Sequence, residues 1–292
     1  MDPTFIIRLP WAWRPEIMLS LGLAAVVHLT GRQRLKRKGS QGLTRSWRSV
    51  SYLSGLAILW IALMSPIDIL SDRFFYMHMI QHLLLVMIAP PLLLIANPMP
   101  IMLWGLPSSL RLEIGRGLRP GSRFRQALRP VTTPGLVWLY FVAVLVGWHD
   151  LEHLSFFGTA VLFWWHVIGC APHIHRRLSQ GVRIGYALSM VPANALTGIA
   201  IALASEPIYE HYTTVPRLGE MTALQDQEIG GVIMWIPGSM MYIIAALILI
   251  AQMLRSDSKE GAPTEAAGTE ETVMASGSEA NRASHPIMKE NT

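Results

Sequence analysis

Two pairs of histidines are the residues of this sequence whose types and spacing best suit chemistry. His78 and His82 lie four residues apart at the start of a long apolar run, and His149 and His153 lie four apart in the stretch GWHDLEHLSFF. Residues at positions i and i+4 share one face of an α-helix. Neutral imidazole is the most common metal ligand in proteins. Each pair therefore predicts two imidazoles that point at one spot and that suit a metal or proton site.

Carboxylates lie within the second pair and in a third stretch of the chain. Asp150 and Glu152 lie between the histidines of the second pair, and Asp226 occurs in the stretch LQDQEIGGVIMWIPG. A carboxylate next to a metal-binding imidazole commonly fixes its tautomer. Asp226 is therefore a candidate member of the same site, and the alternative is that it is a solvated cap of the helix that follows.

The composition indicates a membrane protein. Of the 292 residues, 51% are hydrophobic and only 15% are charged, whereas about a quarter of the residues of a soluble domain are charged. A helix needs roughly 20 apolar residues to cross a bilayer. We predict an all-α, polytopic membrane helix bundle with seven transmembrane helices, at residues 17–29, 50–64, 74–95, 136–148, 154–170, 184–204 and 229–254.

Basic residues alternate between the loops that connect these runs. The first, third and fifth loops are rich in arginine and lysine, whereas the second and sixth contain only Arg73 and Arg217 and the fourth contains none. Basic loops lie on the cytoplasmic side of a membrane. We therefore predict an N-terminus outside and a C-terminus in the cytoplasm. The same residues then anchor the topology next to lipid phosphates, and nucleic-acid binding is not expected.

This orientation gathers the candidate residues in the outer leaflet. The third run begins outside near Phe74, so at 1.5 Å per residue His78 lies about 6 Å and His82 about 12 Å along it. The hairpin with His149 and His153 and the helix start with Asp226 also face outward. Ionisable side chains inside a membrane are unfavourable and tend to be functional. A shared metal or proton site is the interpretation that accounts for both pairs.

The remaining polar features have simpler explanations. His28 and His166 are predicted to be structural, hydrogen-bonded residues. Cys170 is the single cysteine, which excludes an internal disulfide and a paired-thiolate metal site. Residues 256–292 are rich in Ser, Glu, Ala and Gly without apolar periodicity, so we predict a transmembrane domain at 1–255 and a disordered cytoplasmic tail at 256–292.

Four stretches of the chain resemble the CtaG family, the polytopic membrane proteins associated with assembly of caa3-type cytochrome c oxidase. They are LMSPIDILSD, FYMHMIQHLLLVMIAPPLLLIANP, DLEHLSFFGTAVLFWW and DQEIGGVIMWIPG. The resemblance implies a plasma-membrane factor that handles copper and that meets oxidase subunits or other copper-handling proteins as partners. Carried over, the family's motif residues fall on His78, His82, His149, His153 and Asp226, which would be the metal ligands.

Two other functions fit parts of the pattern. The stretch HDLEH matches H-x-x-E-H, in which Glu152 would be the general base of a membrane zinc enzyme. Histidines on facing helices could instead hold haem in a membrane redox protein. A five-residue pattern is weak evidence, and four histidines on one ion would close the open coordination position that catalysis needs. A non-enzymatic copper-binding assembly factor is therefore the favoured hypothesis.

Overall fold

A computed structural model describes residue 11 and residues 13–146, 152–216 and 220–260. Every regular element within these ranges is helical, which confirms the all-α prediction. We number the α-helices α1 to α14 in chain order, with one π-helical segment at Leu83–Ile88 between α4 and α5. The α-helices are Pro15–Arg37, Ser46–Met64, Pro66–Ser71, Phe75–His82, Ala89–Ile95, Pro98–Gly105, Ser108–Gly117, Arg123–Val131, Pro134–Val146, Glu152–Ile168, Gln180–Leu188, Met190–Ala202, His211–Thr214 and Ala223–Glu260.

Four helical stretches of the described chain are long and apolar enough to cross a membrane. They are Ser46–Met64, Phe75–Ile95, Gln180–Ala202 and Ala223–Ser256, and a fifth results if the pair Arg123–Val131 and Pro134–Val144, bent by 52°, is counted as one span. These stretches correspond to four of the seven predicted spans, with the bent pair as a fifth. The other two predicted spans fall on α1, whose last turn is basic, and on α10, which has only 17 residues. The count of seven is therefore not confirmed by length and composition alone.

The third predicted span contains a π-helical segment, Leu83–Ile88, just before the pair Pro90 and Pro91. Pro90 has no backbone N–H, so it cannot donate to the carbonyl oxygen of Val86 as an ordinary helical residue would. The indole Nε1 of Trp164 donates to that oxygen instead, at 2.8 Å. A side chain of α10 thus satisfies the backbone group that the proline leaves without a helical partner. This contact ties α10 to the helix that carries the first histidine pair.

A glycine lets the start of α14 approach α4 closely. A Cβ atom at Gly230 would collide with the ring of Phe75 and would meet Met79 Cγ at 3.2 Å. Asp226 lies one helical turn before Gly230, so both residues lie on the same face of α14. The two residues place this turn of α14 directly against the beginning of α4.

Aromatic side chains form part of the buried core of the bundle. Phe141, Phe163 and Tyr242 are fully buried, and the rings of Phe141 and Phe163 stack at a centroid distance of 5.0 Å.

Contacts divide the chain into two compact units, residues 1–249 and residues 250–292. Most of the tail predicted at 256–292 lies outside the described residues, so its disorder stays a prediction.

Candidate metal centre

Three of the predicted ligands lie together. His78 and His82 occupy successive turns of α4, and His153 lies in the first turn of α10. Each residue offers a ring nitrogen that lies within 4.8 Å of those of the other two. The ring centroids of His78 and His82 are 4.1 Å apart, and that of His153 lies 5.9 Å from the first and 5.8 Å from the second. Nitrogen ligands about 2.05 Å from a tetrahedral ion lie about 3.3 Å apart, so a small side-chain rotation would bring the three onto one ion.

The cluster is shielded from solvent by aromatic rings. His78 is buried, whereas His82 and His153 are half-buried. The ring of Phe156 lies 4.5 Å from that of His82, and the ring of Tyr212 lies 6.5 Å from that of His78. An apolar wall of this kind strengthens electrostatic and ligand bonds, because it excludes competing water.

A buried glutamine connects His153 to the rest of the fold. The side-chain nitrogen of Gln81 donates to the carbonyl oxygen of Ala62 at 2.8 Å and to Oδ1 of Asp68 at 2.9 Å. Its amide oxygen lies 3.1 Å from Nε2 of His153. Arg14 then pairs with Oδ2 of Asp68 at 2.8 Å. The result is a continuous chain of hydrogen bonds from Arg14 through Asp68 and Gln81 to His153.

This chain of contacts determines the tautomer of His153. Both neighbours of the Gln81 nitrogen, a carbonyl and a carboxylate, are acceptors, so the amide must present its oxygen to the imidazole. An amide oxygen only accepts, and Nε2 of His153 must therefore carry the proton. The lone pair of this neutral imidazole is then on Nδ1. An outer hydrogen bond that orients a metal-binding imidazole is typical of metal sites.

Asp68, which lies between Arg14 and Gln81 in this network, is a buried carboxyl group. It lies in α3, the short helix between the first two long apolar helices, and is 6% exposed. Burial raises the pKa of its carboxyl, and the charge of Arg14 and the hydrogen bond from Gln81 oppose that rise. The negative charge of this carboxylate is therefore stabilised by Arg14 and Gln81 rather than by water.

Asp226 contacts the beginning of α4. It is fully buried, and its two oxygens accept hydrogen bonds from the backbone N–H groups of Phe75 and Tyr76, at 3.0 and 2.9 Å. These groups begin α4 and have no helical acceptor of their own. Asp226 is not one of the three residues whose ligand atoms lie together. Its role as a ligand stays a prediction, and the contacts make it a cap that fixes the helix carrying His78.

The other predicted residues fall elsewhere. His149 lies outside the described residues, so its role as a ligand stays a prediction. His28 is fully buried, with Nε2 at 3.4 Å from the Ser49 hydroxyl and its ring stacked on Tyr52. His166 donates from Nε2 to the carbonyl oxygen of Thr132 at 2.9 Å. Both residues therefore make the structural contacts expected from the sequence.

Arg14, Asp68 and Gln81 are functional candidates that the sequence did not reveal. Asp68 and Gln81 lie within the stretches SPIDILSD and HMIQH. A polar residue in an apolar run of this kind indicates a functional role. No periodicity could have linked them to His153, because the contacts join residues 13 and 72 positions apart. Arg14 lies 54 positions from its partner and had no signal of its own.

A cavity adjoins the cluster at His82. Its lining residues, which include His82, come from five helical segments and from Tyr209, and methionine is the most frequent type. The lining comprises Met79, His82, Leu83, Val86, Met87, Phe156, Asn194, Ile201, Tyr209, Met234 and Gly238. His153 thus contacts the polar network, whereas His82 borders a mostly apolar cavity lined by three methionines.

Comparison with known proteins gives a family. Residues 26–256 match the family described as cytochrome c oxidase caa3 assembly factor, Caa3_CtaG. An uncharacterized protein of Mycobacterium leprae is 29% identical over 290 residues, which cover 88% of this chain and 42% of the relative. One of Mycobacterium bovis is 26% identical over 288 residues with the same coverage. The chain thus spans about two-fifths of the length of these relatives. No solved structure matches.

The matched range is most of the chain and includes all three clustered histidines, Gln81, Asp68 and Asp226. It also includes the helices that position them, from the second half of α1 to most of α14. The chain therefore belongs to the cytochrome c oxidase caa3 assembly factor family.

Proposed function

We propose that this protein binds a copper ion through His78, His82 and His153 and assists assembly of the metal centre of a haem-copper cytochrome c oxidase. The observation that carries the proposal is the convergence of three imidazole nitrogens within 4.8 Å of one another. Imidazole suits copper, zinc, iron and nickel. The choice of copper comes from the family, whose description ties it to an oxidase that contains copper.

The donor set fits a copper ion at this position. Three imidazoles would supply nitrogen ligands, and Gln81 holds that of His153 in the tautomer whose lone pair is on Nδ1. Asp226 fixes the first turn of α4, so His78 and His82 keep their shared face. A bound copper ion could be transferred to a partner protein. The protein itself orients the ligands and excludes water, and no step of covalent catalysis is needed.

The proposal includes an orientation. Seven membrane-crossing segments with an external N-terminus and a cytoplasmic C-terminus would put the histidines near the outer face of the plasma membrane. The alternation of basic loops supports this arrangement. Oxidase subunits or other copper-handling proteins would then meet the protein on that side.

Metal analysis of the purified full-length protein tests the proposal. We expect copper near a one-to-one ratio with the chain after growth with added copper, and an absorption spectrum without a Soret band. His82→Ala should lose the copper, whereas His166→Ala, whose imidazole bonds to Thr132 at a distance from the cluster, should keep it. Zinc at the same ratio would favour the metalloenzyme, and a Soret band would favour the haem protein.

A cellular measurement tests the assembly role separately. In cells without the wild-type protein, the His82→Ala variant should insert at normal levels but give oxidase with reduced copper content and activity. Full oxidase activity with a copper-free assembly factor would overturn the assignment of copper to this site.

A further inference from the structure

A basic groove lies at the C-terminal end of α1, and none of the clustered histidines is among its lining residues. It is formed by the end of α1, the end of α6 and the start of α7. Its lining residues are Arg34, Arg37, Lys38, Trp104, Pro107, Ser108 and Arg111. Four of them are cations, and none of the lining residues in the described part of the chain is acidic.

The groove is held in place by the protein. Arg34 donates from Nη1 to the carbonyl oxygens of Trp104 and Leu106, both at 3.0 Å, and so covers the end of α6. The Lys38 ammonium and the Arg111 guanidinium each lie 4.4 Å from the centroid of the Trp104 ring. The cations are therefore positioned on an aromatic ring and on helix carbonyls, rather than extended separately into solvent.

Two glycines bring the walls of the groove together. A Cβ atom at Gly31 of α1 would collide with the backbone of Ile101, and one at Gly105 of α6 would collide with the backbone of Val27. The two helices therefore touch backbone to backbone along this stretch. Such close packing keeps the cations of both helices near one another despite their repulsion.

These positive charges have no carboxylate partner in the described part of the chain. There the ion pair recorded within 4 Å joins Arg14 to Asp68, and neither residue lines the groove. Like charges held within one groove repel each other. An anion with several oxygens would relieve that repulsion and bind several donors at once.

An exposed apolar stripe runs along α1 towards the groove. Leu19, Leu23 and Val26 are 73%, 66% and 58% exposed. At 100° per residue, Arg37 falls on the same face, because it follows Leu19 by five full turns. Val26 and Arg37 are about 16 Å apart along the axis at 1.5 Å per residue. One helix face thus presents apolar surface over its first turns and positive charge at its end.

We propose that this groove binds the phosphate headgroup of an anionic phospholipid, with the acyl chains along the stripe of Leu19, Leu23 and Val26. The stripe favours a lipid over a soluble phosphate, since a soluble anion would use only the basic end. Basic pockets between membrane helices are known to suit such headgroups. The site is independent of the histidine cluster and does not rest on the copper proposal.

Native mass spectrometry of the full-length protein in detergent tests the site. The probes are phosphatidylglycerol, phosphatidylcholine and inorganic phosphate. We expect phosphatidylglycerol to bind at least about tenfold more tightly than phosphatidylcholine, because only the former carries net negative charge. Inorganic phosphate in millimolar excess should leave the lipid bound.

Two triple variants that remove the same charge distinguish lipid binding in the groove from nonspecific attraction of the lipid to the positive protein. Arg37→Gln, Lys38→Gln and Arg111→Gln together should weaken phosphatidylglycerol binding about tenfold or more. Arg45→Gln, Arg116→Gln and Arg119→Gln remove the same charge from exposed positions outside the groove, and binding should change less than about twofold. If the triple groove variant fails to fold, Arg37→Gln alone, at an exposed position, should weaken binding measurably.

Three results would overturn the lipid site. Equal loss in the two triple variants would mean that the basic residues act only through their total charge. Equal binding of the two lipids would mean that the headgroup charge is not recognised. Displacement of the lipid by inorganic phosphate would identify the groove as a site for a soluble anion.

Discussion

At the scale of single residues, Gln81 joins the candidate metal site to the rest of the protein. Its amide gives two hydrogen bonds, to Ala62 and Asp68, and accepts one from His153. A buried group with this many partners leaves several of them unsatisfied when it is removed. Gln81 therefore controls both the tautomer of His153 and the stability of the carboxylate of Asp68.

Substitution of this glutamine should weaken metal binding without removing a ligand. In Gln81→Leu, the Nε2–H of His153 loses its acceptor, so the imidazole divides between its two tautomers. We expect a loss of about tenfold to hundredfold in copper affinity, as for other outer hydrogen bonds of metal sites. Met77→Leu, on the same helix and half-buried, is the control and should bind copper normally.

Nitrogen-15 NMR of histidine-labelled protein measures the tautomer directly, before any metal is added. The wild type should show His153 protonated at Nε2 and unprotonated at Nδ1. A spectrum in which Nδ1 carries the proton would contradict the hydrogen-bond assignment, whatever the protein does with copper.

At the same scale, Asp226 should behave as a helix cap. Asp226→Ala leaves the buried N–H groups of Phe75 and Tyr76 without acceptors and should destabilise the protein by about 1–3 kcal/mol. Asp226→Asn keeps one acceptor oxygen and should lose less. Glu228→Gln removes an exposed acid nearby and should be neutral. Thermal unfolding measures the three variants.

Spectroscopy of the Asp226→Asn variant loaded with Cu²⁺ distinguishes a cap from a ligand. The cap role predicts an electron paramagnetic resonance spectrum like that of the wild type. A changed spectrum in a protein of near-normal stability would show that the carboxylate coordinates the metal.

At the scale of helices, the site depends on the approach of α14 to α4. Asp226 and Gly230, one turn apart on α14, face the beginning of α4. The sequence predicted that both helices carry site residues on the same side of the bundle. It could not predict that the aspartate accepts hydrogen bonds from the backbone amides of Phe75 and Tyr76, because helix periodicity gives a face but not the partner opposite it.

A side chain at Gly230 should separate these helices. Gly230→Ala would force its methyl group into the ring of Phe75, so we expect less folded protein and weaker copper binding. Gly158→Ala in α10 is the matched control, since nothing lies within 4 Å of a Cβ atom there, and alanine favours a helix over glycine by about 1 kcal/mol. Normal yield and copper content of the Gly230→Ala variant would contradict the proposed packing.

At the scale of the whole molecule, the all-α architecture and the positions of the long apolar helices followed from hydropathy, because an apolar run must form hydrogen bonds within itself in a membrane. The spacing of His78 and His82 gave their shared face for the same local reason. The network from Arg14 to His153 was not predictable, since it depends on contacts between distant parts of the chain. The number of spans is not confirmed by length and composition, because the predicted spans on α1 and α10 are not among the helices that meet both.

Fusion proteins test the seven-span arrangement. A fluorescent protein fused after Leu254 should fold and fluoresce, and an alkaline phosphatase at the same point should be inactive, because both reporters would lie in the cytoplasm. Phosphatase fused after Arg73, at the end of the connection between the second and third predicted spans, should be active. The opposite pattern would require a different number of crossings or the opposite orientation.

The central claim is that one metal ion is shared by histidines of two helices, and copper titration of a double-substitution cycle tests it most directly. The set comprises the wild type, His78→Ala, His153→Ala and the double variant, each purified at full length. Residues that act as a unit are not additive. We therefore expect each single substitution to remove most of the copper affinity and the double variant to lose little more. Normal binding in both single variants, or losses that simply add, would contradict a shared site.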